Sequence, residues 1–223
     1  MNKVDNISLP LKHLVKLPNK QHPKSATVFF LHGFGSNMHD LFALSDFFPV
    51  EWTCISLEAT VPAGFGGWAW AELDYNNIMQ LPKPEQIYMH RTKIIQSIKI
   101  SIQSFGLDSS QIFLVGFSQG ASMALFCGLT RPAMFYGIAS LCGFLPNSKF
   151  LEEIKKDILS ELNIFIGNGT KDDVVSISLG RATKTTLERI GVQPLYQEYP
   201  VGHTISNDCL QDILKWFNGL SSS

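Results

Sequence analysis

Five residues, Gly116-Phe117-Ser118-Gln119-Gly120, constrain the fold of this chain more than any other stretch. They follow the apolar run Ile112-Phe113-Leu114-Val115 and lead into Ala121-Ser122-Met123-Ala124-Leu125-Phe126. Strand-forming side chains before and helix-forming ones after describe a strand that turns at once into a helix. A G-x-S-x-G turn is sharp, and its glycines let the chain double back so that the serine projects from the strand end. The helix is expected from Gln119 to about Leu129. Its first amides then point at the serine, where a developing oxyanion would be held. It is apolar nearly all round, which suits the centre of a fold. Ser118 is therefore the candidate nucleophile.

A serine hydroxyl becomes reactive when a neighbouring base takes its proton and a carboxylate orients that base. Where such an elbow carries the serine, the acid and then the base follow it in the chain. Of the six histidines, His13, His22, His32, His39, His90 and His203, only His203 follows Ser118. It sits in Gly202-His203-Thr204, after the strand-like Leu195-Tyr196-Gln197-Glu198-Tyr199. Asp172 and Asp173 follow another apolar strand, Leu162-Asn163-Ile164-Phe165-Ile166-Gly167, and the loop Asn168-Gly169-Thr170-Lys171. Most of the glutamates beyond Ser118 lie in helix- or strand-like stretches and read as wet surface. Adjacent residues of an extended loop point in different directions, so one aspartate reaches the imidazole, and spacing leaves both open. The turn Leu31-His32-Gly33-Phe34-Gly35, after the strand Ala26-Thr27-Val28-Phe29-Phe30, offers a further amide. The Phe34 and Gln119 N–H groups are the expected oxyanion hole, with His32 shaping the loop.

Four blocks in order, Leu31-His32-Gly33-Phe34-Gly35, Gly116-Phe117-Ser118-Gln119-Gly120-Ala121, Gly169-Thr170-Lys171-Asp172-Asp173-Val174-Val175 and Gly202-His203, carry a family likeness. Together they resemble the small carboxylesterase, lysophospholipase and acyl-protein thioesterase family of α/β-hydrolases, from about Thr27 to Phe217. In that family the acid is the aspartate two positions before a hydrophobic pair, here Asp172 ahead of Val174-Val175. The resemblance implies a serine hydrolase of carboxylic esters or thioesters, working through an acyl-enzyme without metal or cofactor. Dimers are common in the family, so a homodimer is among the expectations. The chain departs from the pattern at Leu57-Glu58-Ala59-Thr60, where the family often has a histidine beside an alanine and a proline. The segment Gly66 to Asp74 matches the family's tryptophan-rich stretch only loosely. Both departures concern the substrate side. Acyl-protein thioesterase or lysophospholipase activity is the near alternative. A non-catalytic lipid- or peptide-binding module is the distant one, disfavoured because binding alone needs no Ser, Asp and His in this order.

Strands read at about 26–31, 53–57, 112–116, 136–142, 162–167 and 194–199, with helical stripes between them. This alternation predicts an α/β fold, a mostly parallel central sheet with helices on both faces. The first 17 residues read as an irregular or antiparallel edge strand. Ile94, Ile98, Ile102 and Phe105 mark a helix closed by Gly106, and Ser206 is a plausible cap for the last one. With 223 residues, 45% of them hydrophobic, the chain can bury one sizeable core and is expected to be a single domain over 1–223. A net charge of −1, evenly scattered, argues against a nucleic-acid partner. The N-terminus lacks a long apolar core and no stretch is apolar enough to span a bilayer, so a cytoplasmic location is expected. Cys54, Cys127, Cys142 and Cys209 are far apart and read as buried thiols.

A stretch of about 60–85, rich in glycine, proline and aromatics, reads as a flap over the site. Phe65, Trp68 and Trp70, together with Phe34 and Met38, are expected to line a groove for short- to medium-chain acyl esters. Exposed aromatics of the flap would touch a lipid surface transiently. Leu81-Pro82-Lys83-Pro84 reads as a stiff hinge into a helix beginning near Glu85.

Overall fold

A computed structural model of the chain describes residues 7–20, 25–64, 66–74, 83–146, 154, 159 and 161–221. Seven of its strands form one sheet: β1 (His13–Lys16), β2 (Thr27–Leu31), β3 (Thr53–Leu57), β6 (Ile112–Phe117), β7 (Gly137–Leu141), β8 (Asn163–Gly169) and β9 (Leu195–Tyr199). The short β4 (Val61–Pro62) and β5 (Trp68–Ala69) make a separate ribbon. The order in the sheet is β1-β3-β2-β6-β7-β8-β9. Only β1 runs antiparallel, at the edge beside β3, and the remaining pairings are parallel. The N-terminal edge strand and the mostly parallel sheet are both as expected.

Helices α1 (His39–Phe42), α2 (Pro84–Phe105), α3 (Gln119–Thr130), α4 (Ile177–Arg189) and α5 (Asn207–Ser221) cover the sheet. Every residue of β2, β3 and β7 is buried, which is why these strands read as unbroken apolar runs rather than alternating ones. Side chains still divide by parity. Phe29 and Leu31 join Ile55, Leu57, Ile94, Ile98 and Leu125 in one core, under α2 and α3. Val28 and Phe30 join Phe113, Val115, Phe165, Ile213 and Phe217 in the other, under α5.

The helix ends obey the local signals. Gly106 takes the left-handed conformation at φ 63°, and the Leu107 amide donates back to the Ile102 carbonyl at 3.0 Å. The Ser206 hydroxyl accepts from the Cys209 amide at 3.1 Å, capping α5. Proline is tolerated in the first turn of a helix, so α2 begins at Pro84, one residue before the expected start. Parallel pairing brings the carboxyl ends of β2, β6, β7, β8 and β9 to one rim, where the loops after them gather.

An aromatic stack ties α5 to the second core. Phe113 lies flat on Trp52, 5.5 Å between centroids and 7° between planes, and meets Phe217 edge-on at 4.6 Å. Removing a fully buried ring from such a cluster leaves a cavity as well as lost transfer energy. Phe113→Ala should therefore destabilise the fold by about 3–5 kcal/mol. Urea unfolding measures it, and a loss under about 1 kcal/mol would mean the cluster collapses to fill the gap.

Candidate active site

Ser118 follows β6 with φ 54° and ψ −118°, a conformation an L-residue holds only when its surroundings impose it. Those surroundings are backbone. The Ser118 amide donates to the Leu141 carbonyl at 2.8 Å. A Cβ on Gly116 would collide with the Gly120 carbonyl, and one on Gly120 with the carbonyls of Leu31 and His32. Glycine at both positions lets α3 start directly against the end of β2, so the serine hydroxyl stands above the sheet.

His203 reaches that hydroxyl from the loop after β9. Its Nε2 lies 2.9 Å from Ser118 Oγ and its Nδ1 2.7 Å from Asp172 Oδ2. A carboxylate can only accept, so Nδ1 carries the proton and Nε2 is left to accept from the serine. Asp172 Oδ1 accepts from the Val174 and Val175 amides at 2.9 and 2.8 Å. Three donors thus satisfy a carboxylate whose side chain is wholly buried, and its orientation is fixed by backbone. The neighbouring loops are joined as well, Thr170 donating to the Tyr199 carbonyl at 2.7 Å and Lys171 to that of Val201 at 3.0 Å. Of the two aspartates that spacing leaves open, Asp172 turns in to the imidazole and Asp173 is exposed. The Phe117 ring packs on His203 at 4.9 Å.

The strand order thus brings Ser118, His203 and Asp172, expected from the sequence, into one hydrogen-bonded chain. Phe34 and Gln119 stand beside them on the same cavity. Gln119 is the first residue of α3, where amides have no carbonyl within the helix to bond. The cavity holds about 280 Å³, and its walls are apolar side chains such as Leu73, Ile87, Met123, Phe126, Phe144 and Val175.

The substrate side differs from expectation. Trp70 does not line the cavity: it is fully buried, its ring 5.2 Å from His32 and 5.3 Å from His90, and its Nε1 donates to the His32 carbonyl at 2.8 Å. Trp68 lies outside the lining too, in the β4–β5 ribbon, with Lys12 Nζ 5.5 Å from its ring centre. Met38 is likewise not part of the wall. The reason is backbone pairing. Gly35 donates to the Trp68 carbonyl and Trp68 to that of Ser36, which folds this end of the flap onto the turn after β2. Phe65 and residues 75–82 of the flap lie outside the described residues.

Other residues supply the wall. The Gln119 carboxamide accepts from the Trp70 amide at 2.8 Å and donates to the Ala71 carbonyl at 2.7 Å. Gln86 of α2 accepts from the Glu72 amide at 2.8 Å. These two clamps carry Leu73 to the cavity. Met123 and Phe126 were within reach of sequence reasoning, since they follow Ser118 on one face of α3. Leu73 and Ile87 were not, because no periodicity links their elements to the elbow.

His32 and His90 are structural. Burial lowers the pKa of each. His32 Nε2 accepts from the Ala59 amide at 3.1 Å, and His90 Nε2 from the Thr60 amide at 3.0 Å. Neutral rings thus hold the segment where the family's histidine motif is missing. As for metal ligands, single donor atoms of Cys142, Asp172 and His203 lie within 4.8 Å of one another. Their donors are committed, though. His203 Nδ1 is bonded to Asp172, while the Cys142 thiol donates to the Thr204 carbonyl at 3.4 Å and is pushed by burial up to about 11. Asp172 and His203 are thus taken up in the hydrogen-bonded chain with Ser118, and the Cys142 thiol stands outside it.

Comparison with known proteins bears on the family and the fold. A family model described as Phospholipase/Carboxylesterase matches residues 14–221. An acyl-protein thioesterase 1 of Neurospora crassa is 36% identical over 111 residues, 48% of this chain and 44% of that one. Another of that name, from Cryptococcus neoformans, is 24% identical over 233 residues, covering 92% of this chain and 96% of its own. The crystal structure of a Bacillus cereus carboxylesterase superposes with a TM-score of 0.81 at 17% identity, over 94% of each chain. At that identity the likeness speaks for the α/β-hydrolase fold. Among the described residues no helix is long and apolar enough to cross a membrane.

Titration of His90 should be visible in stability. Its folded pKa is held at about 4, chiefly by burial, against an ordinary value near 6.5. Above pH 6.5 both states are neutral and stability is full. Between pH 6.5 and 4 the unfolded chain takes up a proton that the folded one refuses, so stability falls with pH, by about 3 kcal/mol at most. His90→Gln should flatten that part of a melting-temperature profile; an unchanged slope would assign the loss to other groups.

Proposed function

The chain belongs to the phospholipase/carboxylesterase family and is a hydrolase of esters, and we propose that its reaction runs through an acyl-enzyme on Ser118. His203 takes the hydroxyl proton as Ser118 attacks the acyl carbonyl. The Phe34 and Gln119 amides hold the oxyanion of the tetrahedral intermediate. His203 then protonates the leaving alcohol or thiol, and afterwards activates water to release the acid. Asp172 keeps the imidazole in the tautomer that accepts from serine and stabilises the imidazolium. Every proton transfer uses the chain's own groups, so the chemistry needs no cofactor.

The observation that carries this reading is the Ser118–His203–Asp172 chain opening onto an apolar cavity. Among the described residues of the lining His203 is the one titratable side chain, which favours an uncharged acyl group. The substrate is an ester or thioester with a hydrocarbon acyl chain of short to medium length. Thioesters are attacked with the same geometry, and relatives named as acyl-protein thioesterases support them as a second substrate class.

Ser118→Ala should lower kcat for a simple ester by roughly 10³–10⁶-fold while the melting temperature stays near wild type. Retention of most activity would remove Ser118 from its role. The two aspartates separate in the same assay. Asp172→Asn should cost roughly 10⁴-fold in kcat, because an amide presents the wrong partner to the imidazole, whereas Asp173→Asn should stay within a few-fold of wild type. Equal losses would show that loop structure, not the carboxylate at Asp172, is what activity needs.

A further inference from the structure

We infer that Phe126 is the stop against which the acyl chain is measured, so that the enzyme takes medium-chain acyl groups and turns long ones away. This rests on the reading of Ser118 as the acyl-bearing residue. Ser122, Met123 and Phe126 stand four, five and eight residues beyond Ser118 and line the same cavity. At about 1.5 Å per residue, the path from the nucleophile to Phe126 is roughly 12 Å along α3.

Phe126 is held where it stands. Tyr88 of α2 meets its ring edge-on at 5.6 Å, and the Arg91 guanidinium lies 4.8 Å from its centre. The same guanidinium is 5.2 Å from the Tyr88 ring. Phe126 is 5% exposed, so its ring swings aside only by breaking both contacts. Its cavity side is apolar, whereas its other neighbour is a cation. A hydrocarbon chain driven past the ring would meet that charged group in place of an apolar wall. Each methylene up to the ring is buried, and each one beyond it is opposed. Ile87, next to Tyr88 on α2, lines the same cavity, so one helix both borders the acyl site and braces its stop.

The test is a series of saturated p-nitrophenyl esters from acetate to palmitate, with kcat/KM measured below aggregation. Wild type should gain roughly fourfold for each methylene that still fits, and then fall as the chain lengthens towards palmitate. Phe126→Ala should raise the palmitate-to-octanoate ratio by roughly tenfold or more, the worth of about two methylenes. Phe126→Leu, a smaller loss of volume, should raise it by less and serves if the alanine variant does not fold. A ratio within one measurement is insensitive to the folded fraction, so a merely structural role for the ring would leave it unchanged. A wild type that prefers palmitate, or a ratio unmoved in the folded variants, overturns the inference while leaving the hydrolase reading intact. Turnover that survives Ser118→Ala overturns both.

Discussion

Backbone pressed on backbone at the start of α3 is the constraint on which the rest of this structure depends. Gly120 lies so close to the Leu31 and His32 carbonyls that no side chain fits between, and Gly116 is as close to Gly120. This contact fixes where β6 ends, where α3 begins and which way Ser118 points. It also docks the elbow against the turn after β2, bringing Phe34 to the serine's side. The strained φ of Ser118 is the local cost of that contact, and dense packing on both sides of the sheet sustains it.

The site is rigid where charge must be steered and apolar where substrate must sit. Asp172 is oriented by two amides of its own loop, and that loop is tied to the one carrying His203. Neither position depends on a long, flexible side chain in water. Gln119 then has two attachments. Its backbone opens α3 beside Ser118, and its carboxamide bonds the backbone of Trp70 and Ala71. The wall of the cavity and the proposed oxyanion hole are therefore parts of one hydrogen-bonded unit, and displacement of one strains the other.

Two buried histidines explain how the chain manages without the family's usual motif after its second parallel strand. Where Leu57-Glu58-Ala59-Thr60 stands, the Ala59 and Thr60 amides are accepted by His32 and His90 from other elements. Trp70 fits between the two imidazoles with its Nε1 satisfied by the His32 carbonyl. An aromatic with a polar tip is well suited to such a place, because burying it without a partner would be costly. The same fit explains why Trp70 belongs to the core and not to the groove.

Local chemistry was legible in the chain itself. A glycine-flanked serine after an apolar strand, a lone histidine downstream, a glycine closing α2 and a serine capping α5 each act over a few residues, and spacing reveals them. Choosing Asp172 over Asp173 from spacing was not open, because adjacent side chains differ only by the direction that loop pairing imposes. The flap aromatics were misassigned for a related reason. Composition marks Trp68 and Trp70 as a wall, but their place is set by bonds from the Gly35 amide and the Gln119 carboxamide, both distant in sequence. What the amino-acid order alone determined was the elements and the order of the reactive groups, since both arise from short-range sterics and hydrophobic period. Only the tertiary structure decided which side chains border the cavity beside Ser118, because Leu73 and Ile87 reach it through contacts between elements that no local pattern records.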